Sequence, residues 1–352
     1  MDNMLEAITI ENFRGIERLS IDGFGRVNLI IGKNDTGKTA LMEAMGVVNA
    51  GKERADALGF FQAQRSMAAS VKDFDGFWRP IFYGGDATRG FGVLAVQSGG
   101  VATSVRVRKS ATPPLVSVQD HDRMTTPESA WMLSYHVESG NEVTDYSLTP
   151  VTEGVRLSHS PRRQDAEFAW IRGAPNTTPA DVKVFSGNKA AGRDAMLVEV
   201  LGSINPEIRA LELLSPTGEQ ATIFVRLSGQ SAPLPLAMLG EGTRRAFEIA
   251  NSLVGGDISC ILCDEIENGI HHGVLEALWT WLAKVSAERD VQVFATTHSD
   301  ECVEAAARAF TALNDDGLKV IRLDRHEHET TAAIYRRELV AHALDVGLEI
   351  RG

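Results

Sequence analysis

A glycine-rich segment near the N-terminus has the residue types and the spacing of a loop that binds phosphate groups. It consists of Gly32, Lys33, Asn34, Asp35, Thr36, Gly37, Lys38 and Thr39, with Ala40 directly after it. Glycines in such a loop let backbone N–H groups turn toward a polyphosphate, while the Lys38 ammonium supplies a point charge for the β- and γ-phosphates. The Thr39 hydroxyl is suited to hold Mg²⁺. The segment therefore predicts a binding site for ATP and Mg²⁺.

Two adjacent carboxylates end an apolar run much later in the chain. Residues 259–263 predict a buried strand, and Asp264 and Glu265 follow it. An Asp at the end of such a strand orders Mg²⁺, and a carboxylate directly after it is placed to polarise a water in line with the γ-phosphate. This pair favours hydrolysis of ATP over phosphoryl transfer to an acceptor. A small-molecule kinase is a weaker alternative, because Glu265 and His298 argue against it.

Two further segments complete the pattern. Residues 291–295 predict a third buried strand, which delivers His298 to the sheet edge where open α/β folds place ligand groups. An imidazole there would sense the γ-phosphate. The turn formed by Gly240, Glu241 and Gly242 opens a helix with an apolar face, and glycine-rich turns at a helix start bind anions.

The elements that must position these residues follow from hydrophobic periodicity. The apolar run 27–31 predicts a buried strand before the phosphate loop, and residues 40–45 predict a helix after it. Between residues 50 and 235, short alternating runs separated by glycine turns predict antiparallel strands. We therefore predict an α/β P-loop fold with a mainly parallel core sheet from 1–50 and 235–352. An inserted antiparallel β and helical lobe would occupy 51–234 and lead back to Gly240.

Charge and composition favour a cytoplasmic protein. The formal net charge of -12 disfavours a wide nonspecific nucleic-acid surface, since neutralising phosphates needs clustered basic groups. No apolar run approaches the roughly 18 residues of a membrane span. Three cysteines predict buried thiols rather than a disulfide framework. DNA binding remains an alternative because the chain has local groups of basic residues, which are Arg106, Arg108, Lys109, Arg162 and Arg163.

The order of these segments resembles the ABC-type ATPase heads shared by SMC proteins, RecF and the OLD (overcoming lysogenization defect) family. It is most similar to compact bacterial AAA-type ATPases near OLD. The strings that carry the resemblance are 8–16, 239–242, 264–271 and 292–299. The resemblance implies a homodimer with two ATP molecules between the subunits, in which each phosphate loop faces the 240–242 turn of the other chain. Here Gly240 and Glu241 replace the commoner Ser-Gly, so the Glu241 carboxylate must point away from phosphate.

The resemblance also implies residues that connect the nucleotide to the lobe. A glutamine near Mg²⁺ is expected, with Gln62 and Gln64 both as candidates. Relatives place an arginine near the nucleotide, and Arg14 is the candidate, with a surface or lobe-packing role as the alternative.

OLD-like proteins often continue into a metal-dependent Toprim nuclease, but no such pattern occurs here, and the roughly 20 residues after position 329 cannot hold one. We therefore expect a stand-alone ATPase that dimerises on ATP and controls a separate, nuclease-like effector in bacterial anti-phage defence. The alternative function is that of a RecF-like DNA-repair ATPase that clamps DNA directly.

Overall fold

The computed structural model describes residues 4–51, 54–65, 69–111, 131–151, 154–158, 168–172, 177–216, 218, 220–255, 258–327, 329–337 and 339–340. The strands in chain order are β1 (Leu5–Phe13), β2 (Ile16–Asp22), β3 (Val27–Ile31), β4 (Phe91–Gln97), β5 (Ala102–Ala111), β6 (Trp131–Ser139), β7 (Glu142–Val151), β8 (Gly154–Leu157), β9 (Phe168–Ile171), β10 (Ile208–Leu214), β11 (Thr222–Leu227), β12 (Leu234–Pro235), β13 (Cys260–Cys263), β14 (Gln292–Thr296), β15 (Leu318–His326) and β16 (Glu329–Arg336). The α-helices are α1 (Lys38–Asn49), α2 (Arg54–Arg65), α3 (Pro179–Ala190), α4 (Asp194–Ile204), α5 (Glu241–Val254), α6 (His272–Arg289) and α7 (Asp300–Ala312).

A six-stranded sheet in the order β16-β15-β3-β14-β13-β9 forms the core. All neighbouring pairs are parallel except β15 with β16, which form an antiparallel hairpin at one edge. Strands β3, β13 and β14 are buried at every position, because a parallel sheet carries helices on both faces. Val27, Leu29 and Ile31 pack toward α5, α6 and α7, whereas Ile30 packs toward α1. The predicted mainly parallel α/β core is confirmed.

A seven-stranded antiparallel sheet in the order β2-β1-β4-β5-β6-β7-β8 lies against the other side of α1. This confirms the predicted antiparallel sheet. The predicted chain division differs from the sheet membership, however. The hairpin β1–β2 from the segment 1–50 belongs to the antiparallel sheet, and β9 from the segment 51–234 forms an edge of the core sheet. The reason is pairing between distant strands, β1 with β4 and β9 with β13, which local periodicity does not encode.

The aromatic stretch near residues 74–83 is buried under the antiparallel sheet. Phe74, Phe77, Trp78 and Phe82 are each at most 6% exposed, and the Trp78 ring lies 6.0 Å from that of Trp131 on β6. These side chains therefore serve as core and do not form a surface for stacking bases.

The three cysteines are free and buried, as predicted, and they are Cys260, Cys263 and Cys302. Burial raises the pKa of the Cys263 thiol to about 11 and that of the Cys302 thiol to about 12, so neither is a reactive thiolate. Within the described ranges, each helix is too short or too polar to span a lipid bilayer.

The helix that follows the phosphate loop is fixed against the lobe by close packing. Gly46 on α1 faces the ring of Phe61 on α2 so closely that a Cβ atom would overlap it. Phe61 is 1% exposed and also contacts Trp170 on β9, with ring centroids 4.8 Å apart. Helices α1 and α2 and the edge strand β9 therefore share one packed contact.

We expect Gly46→Ala to lower the free energy of unfolding by about 1–3 kcal/mol, because the added methyl must displace the Phe61 ring. Gly59→Ala on α2 is the matched control, since its nearest neighbour, an atom of Trp78, would lie 3.6 Å from the new Cβ. That change should stabilise the protein by about 0.5–1 kcal/mol, because alanine is the better helix former. Equilibrium urea unfolding measures both variants, and equal effects would contradict the described packing of α1 on α2.

Candidate functional site

The loop between β3 and α1 forms one wall of a cavity of about 540 Å³. Gly37 has φ 100°, a left-handed conformation that glycine adopts readily, and a Cβ there would lie 3.2 Å from Ile16. Lys38 is buried, and its Nζ donates to the carbonyls of Gly32 at 2.8 Å and Lys33 at 2.9 Å. The loop is thus held open around the N-terminus of α1, where free N–H groups and the helix dipole favour an anion. These features fit a polyphosphate.

The cavity gathers residues from several strand ends. The predicted residues that line it are Asn34, Asp35, Gly37, Lys38, Thr39, Ala40, Asp264, Glu265 and His298. The cavity is also lined by Arg14, for which two roles were left open, and by residues that were not predicted, namely Gly15, Arg65 and Arg325. Gly32, Lys33 and Thr36 belong to the same loop but not to this lining. The Thr36 hydroxyl donates to the Lys33 carbonyl at 2.9 Å, so it helps to shape the loop.

The two acidic residues after β13 are held by a hydroxyl from β14. The Thr296 Oγ1 donates to Asp264 Oδ1 at 2.6 Å and accepts from the Glu265 N–H at 2.8 Å. Glu265 has φ 49°, a left-handed conformation that costs a non-glycine residue about 1–3 kcal/mol. The turn therefore depends on its surroundings for its shape. Thr296 is not among the predicted site residues, although its position at the end of a buried strand was the available signal.

His298 is tied to the loop that follows the carboxylates. Its backbone N–H donates to Glu267 Oε1 at 2.9 Å, and the Ile266 N–H donates to the Thr296 carbonyl at 3.0 Å. The ends of β13 and β14 thus form one connected unit, from which the His298 side chain reaches the cavity.

The 240–242 turn lies elsewhere on the same chain and does not line this cavity. Gly242 packs directly on the carbonyl of Gly269, and the Glu241 side chain lies against the same glycine. Around Gly240 no atom lies within 4 Å of the position that a Cβ would occupy, and Glu241 is exposed. The start of α5 is therefore an accessible surface of this chain.

A cluster of ion pairs around the buried Glu43 lies along one side of the cavity. Glu43 on α1 pairs with Arg14 and with Arg65, whose Nε lies 2.8 Å from Glu43 Oε1. The Arg14 Nη1 donates to Gln62 Oε1 at 2.6 Å, whereas Gln64 is exposed. Burial lowers the pKa of Arg14, and the charge of Glu43 opposes this shift. Gln62 is thus the glutamine that contacts the cavity-lining Arg14. The sequence signal for this cluster was the charge of Glu43 within the otherwise apolar run 40–48 of α1.

A third arginine comes from the C-terminal hairpin. Arg325 on β15 donates from Nη1 to the Asp35 carbonyl of the phosphate loop at 3.2 Å. Arg325 is not among the predicted site residues, because the pairing of β15 with β3 joins segments almost 300 residues apart.

Among the basic groups that the structure describes, Lys109 does not share a face with Arg106 and Arg108. Lys109 lies over the Phe74 ring at 3.8 Å from its centroid, toward the core. Arg106 is exposed and lies 3.7 Å from Glu138. Alternation along β5 places Arg106 and Arg108 on the face opposite Lys109. Arg162 and Arg163 lie outside the described residues.

Two protein families match the chain. The family described as "AAA domain, putative AbiEii toxin, Type IV TA system" matches residues 144–304, and the family described as "AAA ATPase domain" matches residues 4–76. A relative from Helicobacter pylori named "ATP/GTP phosphatase" is 20% identical over 329 residues, which cover 86% of this chain and 87% of that protein.

Solved structures show the same fold at low identity. An SMC head bound to the C-terminal winged-helix domain of ScpA superposes with a TM-score of 0.51 at 12% identity, covering 95% of this chain and 99% of that chain. An SMC head with an extended coiled coil, bound to the C-terminal domain of ScpA derived from Pyrococcus furiosus, has a TM-score of 0.50 at 10% identity, covering 98% and 99%. The chain thus matches AAA ATPase domain models over residues 4–76 and 144–304, which supports ATP hydrolysis, and it has the ABC-ATPase-like fold of SMC heads.

Proposed function

We propose that this ATPase is a switch in which ATP brings two copies together head to head and hydrolysis lets them part, so that a separate effector protein is controlled. The observation that carries the proposal is the convergence of the phosphate loop, the Asp264–Glu265 pair and His298 on one cavity. Each of the three comes from a different strand end, and the parallel core sheet places those ends at one edge.

The residues that line the cavity suit ATP bound together with Mg²⁺. The Thr39 hydroxyl and the Asp264 carboxylate both line the cavity and offer the oxygen ligands that Mg²⁺ prefers. When bound, Mg²⁺ would neutralise charge on the β- and γ-phosphates. Lys38 and the backbone N–H groups of the loop provide the remaining positive potential.

Hydrolysis requires a base and a sensor near the γ-phosphate. In the proposed step a water oxygen bonds to the γ-phosphorus, the bond to the β–γ bridging oxygen breaks, and Glu265 accepts the proton of the water. Thr296 bonds the Glu265 N–H and the Asp264 carboxylate, so it holds the backbone from which the Glu265 side chain extends. His298 would contact the terminal phosphate as the sensor that distinguishes ATP from ADP.

The dimer is supported by the position of the 240–242 turn. The N-terminus of α5 carries free N–H groups and is accessible at Gly240, yet it lies away from the cavity of its own chain. A second copy that presents this helix start to the bound nucleotide would complete the site. Glu241 lies against Gly269, so its carboxylate need not face the phosphate.

The effector and the setting in anti-phage defence rest on the OLD-like resemblance, and the toxin–antitoxin wording of one matched family agrees with them. Direct clamping of DNA has less support. The net charge is -12, and Lys109 is turned away from Arg106 and Arg108. A cytoplasmic location stays a prediction from composition.

We expect Glu265→Gln to reduce ATP turnover by at least about 100-fold while ATP binding is retained, because only the base is lost. In light scattering with ATP and Mg²⁺ the variant should accumulate as a dimer. Lys38→Ala is the comparison variant, and it should lose ATP binding and therefore remain monomeric. Turnover of Glu265→Gln at the parent rate would show that another group is the base.

We expect Gly240→Leu to abolish ATP-dependent dimerisation and to leave the unfolding temperature unchanged. Space around Gly240 is open within one chain, and its φ of -57° suits any residue, so only a partner can be obstructed by the new side chain. Gly187→Leu, at an exposed and equally open position on α3, is the control and should dimerise normally. If Gly240→Leu forms the ATP dimer as the parent does, the 240–242 turn is not at the dimer interface.

A further inference from the structure

Arg245 is a fully buried arginine that the described function does not yet use. It lies on α5, one turn after the 240–242 turn, and is 0% exposed. Its guanidinium donates to the backbone carbonyls of Arg172, Asp264 and Glu265, the last at 3.0 Å. It also contacts the Cys263 Sγ at 3.4 Å.

Packing alone does not account for an arginine at this position. Helix α5 is buried over most of its surface, and its neighbouring residues Ala246, Phe247, Ile249 and Ala250 are each at most 1% exposed. Burying a guanidinium is costly unless its N–H groups are satisfied, and an apolar side chain would fill the space without that cost. Glu248, the nearest acidic partner, is 3.9 Å away, so the principal acceptors are backbone carbonyls. The planar fork of donors matches several carbonyls at once.

Those carbonyls belong to the turn that carries the proposed base. Glu265 has left-handed backbone geometry, so the turn requires external support. Thr296 supports it from one side through the Asp264 carboxylate and the Glu265 N–H. Arg245 supports it from the other side through the carbonyls of the same two residues. The two contacts together fix the direction in which the Glu265 side chain leaves the backbone.

We propose that Arg245 is a positioning residue for hydrolysis, which holds the Asp264–Glu265 turn and connects it rigidly to the start of α5. This inference rests on the proposed function, because it takes Glu265 as the base. Gly242 lies less than one helical turn from Arg245, so a displacement of the 240–242 turn by a second copy is passed to Glu265 through one side chain. Arg245 thereby makes turnover sensitive to dimerisation.

The test compares Arg245→Met and Arg245→Lys with the parent. Lysine keeps the charge and most of the volume but has a single ammonium, which cannot bond several carbonyls in the guanidinium geometry. Arg245→Lys therefore keeps the test valid if Arg245→Met fails to fold. We expect Arg245→Lys to lower kcat by at least about tenfold with KM and ATP Kd within about twofold of the parent, because only positioning is lost. Turnover is expressed per ATP-binding site, so that misfolded protein that binds no ATP does not lower the measured kcat.

Arg54→Met is the matched control for a purely structural arginine. Arg54 is also buried and donates to backbone carbonyls, those of Gly51 and Val48, but these lie at the far end of α1 from the phosphate loop. Its loss should lower the unfolding temperature and leave kcat per binding site unchanged.

Four results separate the alternatives. A parent-like kcat in Arg245→Lys overturns the inference, and so does an equal loss of kcat per site in Arg54→Met. Dimerisation of the Arg245→Lys variant on ATP should still occur, since its 240–242 turn is intact. If Glu265→Gln turns over ATP at the parent rate, the proposed base is wrong, and that failure is visible independently of Arg245.

Discussion

Parallel pairing of β14 with both β3 and β13 is the constraint on which the rest of this structure depends. The register aligns Thr296 with Ile30 and Ala295 with Cys263, so the three strands end at the same edge of the sheet, within two residues of one another. The phosphate loop, the Asp264–Glu265 turn and His298 follow those ends directly. A register shift in either pair would separate the carboxylates from the loop, because each residue of a strand advances about 3.3 Å.

Buried charge is concentrated around the resulting cavity. Glu43, Arg14 and Arg245 are each at most 7% exposed, and each contacts an element that carries a proposed nucleotide-binding or catalytic residue. Buried ion pairs add little net stability, since desolvation offsets their attraction. Their value here is geometric, because Glu43 joins the helix of the phosphate loop to Arg65 on α2 of the lobe, and Arg245 joins α5 to the Glu265 turn. The cavity is thereby connected to both the lobe and the accessible start of α5.

Within a single chain, the candidate nucleotide site is therefore left open on one side. The cavity holds groups for phosphate, metal and water, yet the helix start best suited to a further phosphate contact is directed elsewhere. Under the proposed function, such a site would reach full activity only when a second copy binds, and turnover would then report on dimerisation. The lobe helix α2, which bears Arg65 and Gln62, is the element through which the nucleotide state would reach an effector.

The sequence by itself determined the local elements and most of the site. The phosphate loop, the strand ending at Asp264, the strand before His298, the antiparallel strands of the lobe and the buried cysteines are all encoded by composition and spacing within short windows. Only the tertiary structure placed β1 and β2 in the antiparallel sheet and β9 in the core sheet, paired Gln62 with Arg14, placed Lys109 over Phe74, and brought Arg65, Arg245 and Arg325 to the candidate site. These outcomes depend on pairing and packing between distant segments, and no short stretch of sequence carries that information.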